Sequence, residues 1–276
     1  MDVIDLPMVA PERKKARMQP IKAVQHFRKL AKNKEDTSQV FQIIEAMKTG
    51  ASDEQAWAFI QSEQGQRLIR EGVDLPTMLD DHARWKDLPT NSLGRHYVDF
   101  MEAEGLSAQG LLQEAYKWAP PESRPNDQTE WYFNRLRDTH DLFHVLTTYG
   151  RDALGESSLL SFGYEQNPNL GQIFIGFAGA RQVKIASGTK APLFASIREA
   201  MRLGKAAAKI AHEDIEALMH QDIGEVRKRL RIGTPVVYHQ CVATLKTEGF
   251  KEDAADLSHK LELHKHGHHL PHFSLT

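Results

Sequence analysis

Apolar residues recur at helical spacing along most of this chain. Between positions 21 and 47 the apolar residues follow one another at three- and four-residue steps, as in Val24, Phe27 and Leu30 and again in Val40, Ile44 and Met47. Runs that alternate polar and apolar residues between turn signals, as half-buried strands do, are nearly absent. The pattern therefore predicts an all-α protein, a multi-helix bundle-like single domain.

Capping signals and the same spacing predict where the other helices begin and end. The stretch Ser52-Asp53-Glu54-Gln55 has the spacing of a capping box and predicts a helix through Ile69, closed by Gly72. Ser107 is placed to cap a helix that ends near Trp118. Further helices are predicted over residues 75–85, 95–104, 128–149, 153–165, 170–187, 192–219 and 223–230.

Proline and histidine content indicates how the chain is divided. Residues 1–20 contain three prolines among charged residues and predict a poorly ordered, flexible N-terminal arm, followed by a helical domain over residues 21–258. Segment 119–127, with three more prolines, is the clearest linker and a possible subdivision of that domain. Residues 259–276 form a histidine-rich tail, which we interpret as a mobile terminus able to bind divalent metal weakly.

The composition narrows the classes of function. The 276 residues carry a formal net charge of −2, which does not indicate a nucleic-acid partner. Cys241 is the single cysteine of the sequence, so an intrachain disulfide is impossible and a reducing compartment is expected. No stretch is apolar over the ~18 residues that a membrane-spanning helix needs. We expect a cytoplasmic, bacterial-type protein, with peripheral contact at the inner face of the membrane left open.

The most informative motif is His140-Asp141-Leu142-Phe143-His144, followed by eleven residues and then Glu156. On a helix that advances about 100° per residue, His140 and His144 lie about 40° apart and Asp141 lies about 60° beyond His144. Three polar groups therefore share one arc of the helix. Two imidazoles with two carboxylates are typical ligands of zinc or of another divalent first-row metal.

Glu156 belongs to such a site only if the chain turns. A straight helix would carry it ~18 Å from His144, at a rise of ~1.5 Å per residue. We therefore predict a helix break near Tyr149-Gly150-Arg151, with Gly150 and Gly155 as the residues at which a turn costs least. The alternative is an internal cluster of His–Asp ion pairs without metal. The metal site is favoured because burying three such groups without a ligand is costly.

The residues around the motif resemble the ubiquinone biosynthesis protein Coq4 family. Residues 132–138 lead into the motif as in that family, and residues 149–156 close it. Residues 88–97 are similar to its Leu-Pro…Thr-Leu-Gly turn, and residues 223–232 to its C-terminal helix. The resemblance covers about residues 74–235. One departure is His212 before Glu213-Asp214, where the family usually has tryptophan.

The resemblance implies a fold, a metal site and a reaction. It implies an all-α protein in which His140, Asp141, His144 and Glu156 act as metal ligands and catalytic residues, with zinc as the first choice. The implied reaction is oxidative removal of the ring carboxylate of a polyprenylated 4-hydroxybenzoate and its replacement by a hydroxyl. Implied partners are that prenyl lipid and other quinone-biosynthesis proteins, and a homodimer is left open. The prenyl tail would need an apolar groove. Bulky residues among Leu159, Leu160, Phe162, Ile173, Phe174, Ile175 and Phe177 could line it, although a place in the helical core is the favoured role of any single one.

Two other functions stay open on the residues alone. The first is a non-catalytic scaffold that binds a prenyl lipid and assembles quinone-biosynthetic enzymes, with a structural metal. The second is a phosphohydrolase of the His-Asp type, which would need further ligands such as His96, or His212 with Asp214.

Two surface patterns also leave alternatives. Arg198, Arg202, Lys205 and Lys209 form a basic stripe that could face anionic lipid headgroups or simply water. The spacing of Gly171, Gly176 and Gly179 indicates close helix packing, with room for a flexible apolar ligand as the alternative.

Overall fold

Helices make up nearly all the regular structure of the computed structural model, which describes residues 2–33, 36 and 38–250. No strand occurs in these ranges, so the all-α prediction is confirmed. The histidine-rich tail lies outside the described residues. In chain order the α-helices are α1 Pro20–Lys32, α2 Ser38–Ala46, α3 Gly50–Ile60, α4 Glu63–Glu71, α5 Leu75–Leu79, α6 His82–Lys86, α7 Leu93–Glu104, α8 Ala108–Trp118, α9 Gln128–Asp138, α10 His140–Thr147, α11 Ala153–Gln166, α12 Leu170–Ser187, α13 Leu193–Ala206, α14 Ile215–Met219, α15 Ile223–Arg229 and α16 Val236–Thr247.

Helix α11 lies at the centre of the packing, against α12 and α13, and it also contacts α10 and α16. Small residues allow this close approach. A Cβ atom at Gly176 of α12 would lie 2.9 Å from the Ser157 carbonyl oxygen, and one at Gly179 would lie 2.3 Å from the Ser157 hydroxyl. The interpretation of these glycines as helix-packing residues is therefore confirmed. On the other side, the hydroxyls of Ser158 and Ser196 lie 3.0 Å apart.

One main hydrophobic core joins the two halves of the chain. Its fully buried residues include Trp85 and Tyr97 before segment 119–127, and Leu146, Phe162 and Cys241 after it. Helices α1 and α2 pack on each other outside this core. They share a smaller cluster with α12, formed by Ala23, Ile43, Ala46 and Ile175.

The N-terminal arm has little regular structure, a single 3-10 turn at Val3–Asp5, but it is tied to the start of α9. The Ala10 N–H donates to Asp127 Oδ2 at 2.9 Å. The Arg13 guanidinium lies 2.7 Å from Asp127 Oδ1 and 2.9 Å from Glu130 Oε2. The flexibility of the N-terminal arm remains a prediction, although these contacts place the arm beside α9.

The predicted helix from Ser52 to Ile69 is wrong in its start and its continuity. Helix α3 begins at Gly50 instead, and the hydroxyl of Ser52 donates to the carbonyl of Pro168 rather than capping a helix. Helix α3 ends at Ile60. Ser62 then caps α4 by accepting the Gly65 N–H at 3.0 Å.

Three further predicted helices are interrupted, and one helix was missed. The helix predicted over residues 128–149 divides at Thr139 into α9 and α10. The helix predicted over residues 75–85 breaks at Asp80, whose carboxylate accepts the N–H groups of Ala108 and Gln109 at the start of α8. The helix predicted over residues 192–219 ends at Ala206. Helix α16 was not predicted. Its first N–H groups are accepted by Glu199, which is buried rather than part of the exposed basic stripe.

Arg227 of α15 ties down the C-terminal turn of α10. Its guanidinium donates to the carbonyls of Val145 and Leu146, both at 2.9 Å. Without this donor, two carbonyls at the end of a largely buried helix lose their partner. A cation at this end also suits the helix dipole.

We expect Arg227→Met to lower the free energy of unfolding by about 1–3 kcal/mol, because it leaves these carbonyls without a charged donor. Urea denaturation measures the effect. Lys228→Met is the control, since the neighbouring Lys228 side chain is 79% exposed and contacts only Glu225 at 3.9 Å among the described residues. Equal losses in the two variants would contradict the assignment.

Candidate metal centre

The motif residues lie at the start of α10, in the first helical turns after a break from α9. The break falls at Thr139, whose hydroxyl donates to the Arg135 carbonyl at 2.9 Å. His140, Asp141 and His144 then share one face of α10, and each offers a ligand atom within 4.8 Å of the others. Within the described residues this is the one group of three or more His, Cys, Asp or Glu side chains so arranged.

His144 is buried and oriented by the backbone. Nδ1 of its imidazole lies 3.0 Å from the Tyr149 carbonyl, and because a carbonyl can only accept, Nδ1 must carry the proton. The lone pair is therefore on Nε2. That atom is buried and has no hydrogen-bond partner in the described chain. The ring of Phe100 stacks on the imidazole with centroids 5.7 Å apart. A metal-binding histidine has this arrangement, in which one ring nitrogen donates a hydrogen bond and the other is available as the ligand.

Glu156, in the first turn of α11, lies against both imidazoles. Its carboxylate is 3.4 Å from His144 Nε2 and 3.6 Å from His140 Nε2. Two ligands held at ~2.0–2.1 Å by a tetrahedral zinc are themselves ~3.3 Å apart. The observed separations thus fit two edges of such a site. The predicted helix break is confirmed, since α10 ends at Thr147 and α11 begins at Ala153.

The charges at this site stabilise one another. Burial alone would raise the pKa of Glu156, but His144 and His140 hold it well below its usual range. Burial would lower the pKa of His144, yet the Glu156 carboxylate outweighs it and the pKa is raised above the ordinary 6.5. The Glu156 carboxylate thus favours a positive charge at this point, whether a proton on His144 or a bound cation.

The turn between α10 and α11 is not made by glycine conformation. Thr148 adopts the left-handed region with φ 63°, whereas neither Gly150 nor Gly155 has a positive φ. The prediction that these glycines provide the turn through their conformational freedom is wrong. A β-branched residue is uncommon in this region. The hydroxyl of Thr148 lies 3.0 Å from His239 Nε2 of α16.

The glycines are needed for space instead. A Cβ atom at Gly155 would lie 2.0 Å from the Gly150 carbonyl oxygen, so the turn and the first turn of α11 are in direct contact. A Cβ atom at Gly150 would lie 2.8 Å from both the Asp152 carboxylate and the Tyr238 hydroxyl. A side chain at Gly155 would push α11, and Glu156 with it, away from the turn, whereas one at Gly150 would displace the Asp152 carboxylate and the Tyr238 hydroxyl.

Gly150, Asp152 and Tyr238 form a set of hydrogen bonds that we call the turn clamp. The Tyr238 hydroxyl accepts the Gly150 N–H at 2.8 Å and donates to Asp152 Oδ2. Asp152 Oδ1 caps α11 by accepting the N–H groups of Leu154 and Gly155 at 3.2 and 3.0 Å. Sequence reasoning missed Tyr238, which is remote from the motif along the chain and lies on the helix that was not predicted.

A cavity of about 1290 Å³ opens beside the candidate ligands, with His140, Asp141 and Glu156 on its wall. Much of the lining is apolar and comes from α1, α2, α8 and α12. Of the seven bulky residues expected to line a groove, Leu160 and Ile175 do so. Leu159 and Phe162 belong to the main core, while Phe174 packs on Phe27 and Phe177 on Phe194.

The additional ligands that a His-Asp phosphohydrolase needs are not at this site. His96 is exposed on α7. His212 stacks on Phe59 with ring centroids 3.9 Å apart, and its Nε2 lies 3.1 Å from the Tyr132 hydroxyl. Burial lowers the pKa of His212 to about 4, as suits a neutral ring in an aromatic cluster.

Comparison with known proteins identifies the family. A family model described as coenzyme Q (ubiquinone) biosynthesis protein Coq4 matches residues 27–236. The chain belongs to the Coq4 family. Mitochondrial ubiquinone biosynthesis proteins COQ4 of Podospora anserina and Candida tropicalis are 22% and 24% identical to it, over 72% and 64% of the chain. The chain spans only 63% and 52% of the lengths of these two relatives.

A solved structure supports the fold of this Coq4 protein. The crystal structure of a Nostoc punctiforme protein, assigned provisionally to ubiquinone biosynthesis, superposes with a TM-score of 0.57. The match has 17% identity and covers 79% of this chain and all of the other. No helix among the described residues is long and apolar enough to cross a membrane.

We expect Gly155→Ala to weaken zinc binding about 10–100-fold, because the new methyl group would displace Glu156 from the histidine pair. Calorimetric titration measures it, in a full chain whose tail histidines are replaced by serine. Gly163→Ala is the matched control on the same helix, since its Cβ would meet nothing nearer than 3.6 Å. Unchanged affinity in Gly155→Ala would exclude the close contact as a determinant of the site.

We also expect the pKa of His144 to depend on Glu156. Imidazole NMR titration of metal-free protein should give a His144 pKa above the ordinary 6.5, because the carboxylate favours the protonated ring. In Glu156→Gln the opposing effect of burial remains and the carboxylate charge is lost, so the pKa should fall relative to wild type. Zinc binding, which requires the neutral ring, should accordingly strengthen as the pH rises through the raised pKa. A His144 pKa that is the same in both proteins would contradict this pairing.

Proposed function

We propose that this Coq4 protein binds a divalent metal through His140, Asp141, His144 and Glu156 and acts as a decarboxylase in ubiquinone biosynthesis. The observation that carries the proposal is the buried, unpartnered Nε2 of His144, which faces Glu156 beside a largely apolar cavity of about 1290 Å³. Zinc is the metal we expect first, since the donors are imidazoles and carboxylates, and another first-row ion is the alternative.

The proposed substrate is a polyprenylated 4-hydroxybenzoate, whose ring carboxyl is replaced by a hydroxyl. The bond from the ring to the carboxyl carbon breaks, a ring carbon–oxygen bond forms, and carbon dioxide leaves. With dioxygen as the oxidant the reaction balances as aromatic acid, dioxygen and water giving phenol, carbon dioxide and hydrogen peroxide. A bound metal supplies a Lewis acid that stabilises negative charge on oxygen.

The protein's own groups would bind and orient the acid. Arg151 lies on the cavity wall, with Nε 3.7 Å from Glu156 Oε1 and Nη1 3.9 Å from Glu104 Oε2. Its side chain is about one-third exposed, so a planar cation faces the space beside the candidate ligands. A guanidinium can pair with a carboxylate through two parallel hydrogen bonds, which would fix the ring relative to His140 and Glu156.

The cavity offers room for the prenyl tail. Drug-sized ligands occupy pockets of roughly 300–1,000 Å³, so a cavity of about 1290 Å³ accepts a larger flexible molecule. Phe27, Phe41, Trp118 and Leu160 contribute apolar wall on the route away from the ligands. We further propose a cytoplasmic location, with the prenyl lipid taken from the membrane, and other quinone-biosynthesis proteins and a second copy of the chain as partners.

The decisive experiment is turnover of a prenylated 4-hydroxybenzoic acid by zinc-loaded protein under air, with the phenol and carbon dioxide both measured. We expect His144→Ala to reduce turnover at least ~100-fold, since a neutral buried ligand is lost. Arg151→Gln should mainly raise KM, and Arg151→Lys should recover part of the loss because it keeps the charge without the planar pair.

Arg198→Gln is the control, because Arg198 is exposed on α13 and does not line the cavity. Absence of turnover with several first-row metals, or full turnover in His144→Ala, would reject the decarboxylase. The alternative would then be a scaffold that binds a prenyl lipid without chemistry, for which the same cavity would suffice.

A further inference from the structure

The segment leading into α1, and α1 itself, carry a dense and unbalanced positive charge. Residues 13–33 contain eight Lys or Arg residues and no Asp or Glu. Arg13 is paired with Asp127 and Glu130. The other seven are exposed and form no ion pair with another described residue: Lys14, Lys15, Arg17, Lys22, Arg28, Lys29 and Lys32. In the sequence Glu12 precedes this stretch and Glu35 and Asp36 follow it, and Asp36 lies within electrostatic reach of Lys29.

Exposed apolar side chains lie among these charges. Met18, Ile21 and Val24 are 45%, 77% and 40% exposed, and they are half of the six large hydrophobic residues exposed in the described chain. At about 100° per residue, Ile21, Arg28 and Lys32 fall within about 40° of one another on α1. We call Met18, Ile21 and Val24, with the seven exposed cations, the docking face.

The opposite side of α1 faces the cavity. Phe27 and Leu30 of α1, with Phe41 and Ile44 of α2, contribute to the wall of the space that also contains the candidate metal ligands. The α1–α2 pair is held by the small cluster that it shares with α12 rather than by the main core. Elements with few buried apolar contacts open at the lowest free-energy cost. One helix pair thus presents an apolar wall to the cavity and a basic, partly apolar surface to the outside. The two adjoin at Lys14 and Lys32, which belong to the docking face and also contribute to the cavity wall.

We propose that the docking face binds a membrane surface that contains anionic lipids, and that a prenyl lipid enters the cavity between α1–α2 and α12. The identity of the lipid rests on the proposed function, whereas the docking itself does not. Cations bind the anionic headgroups, and Met18, Ile21 and Val24 insert among the acyl chains, as in helices that lie in the membrane interface.

Other occupants fit the face less well. A second copy of the chain would bring seven unpaired cations against seven, which repel each other. A nucleic acid would use the cations but would leave three exposed apolar residues without a role. The basic stripe of α13 lacks this combination. Arg198, Arg202 and Lys205 are exposed there, but the neighbouring Glu199 is buried and none of the large exposed hydrophobics of the described chain lies on α13.

The test is flotation of the full chain with phosphatidylcholine vesicles, with and without phosphatidylglycerol. We expect binding only to the anionic vesicles, and at least ~100-fold weaker partitioning in the triple variant Lys22→Glu, Arg28→Glu and Lys32→Glu. The matched control is Arg198→Glu, Arg202→Glu and Lys205→Glu, which changes the net charge equally. It should stay close to wild type.

A second pair of variants tests the apolar contribution. Ile21→Ser with Val24→Ser should weaken partitioning about 10-fold, because two buried side chains are lost from the membrane interface. Ile185→Ser with Val236→Ser is the control, since both residues are comparably exposed elsewhere, on α12 and α16. Circular dichroism checks that every variant keeps its helical content.

Three results would overturn the docking proposal. They are equal losses in the two charge-reversal triples, binding that does not depend on phosphatidylglycerol, and binding of RNA in place of vesicles. His144→Ala should float with vesicles as wild type does, since the candidate ligands are not part of the face. A failure to find decarboxylase turnover would therefore leave the docking result intact. A failure to bind vesicles would likewise leave the proposed chemistry intact.

Discussion

The geometry of the candidate centre depends on the hydrogen bonds by which Tyr238 holds the turn between α10 and α11. One hydroxyl accepts from Gly150 and donates to Asp152, and Asp152 in turn caps α11. Glu156 is in the first turn of that helix, so its direction follows from where the helix starts. A shift of the start by one residue would rotate Glu156 by about 100° and remove it from both imidazoles. The clamp therefore sets which side chains can meet.

The fold buries one polar atom of the candidate centre at a cost in stability. A buried polar atom without a partner costs about 1–3 kcal/mol, and His144 Nε2 is such an atom. Rotation of the ring would not relieve the cost, because Nδ1 is committed to the Tyr149 carbonyl. A cation shared with Glu156 would relieve it directly.

Patterns among neighbouring residues in the sequence predicted the features that depend on local interactions. Helical spacing located most helices, Ser107 was recognised as a cap, and the reach of a straight helix required the break before Glu156. What could not be predicted depends on residues far apart in the chain. The left-handed conformation of Thr148 and the clamp by Tyr238 both involve α16. The glycines were identified correctly as essential to the turn but for the wrong reason, because their role is set by contact rather than by torsion.

Burial of the candidate ligands also sets the direction from which a substrate must come. His144 is 2% exposed and Asp141 is 7% exposed, whereas the side chains of His140 and Glu156 are about one-third exposed, toward the cavity. A prenylated acid would therefore approach through the cavity, past the wall formed by α1 and α2. That wall carries the basic, partly apolar surface on its outer side. Because a prenyl chain is insoluble in water, an entrance that opens at the membrane surface would let it pass from acyl chains to apolar wall without crossing solvent. Such a transfer requires that α1 and α2 can move apart from the rest of the fold. Their packing outside the main core fits this requirement.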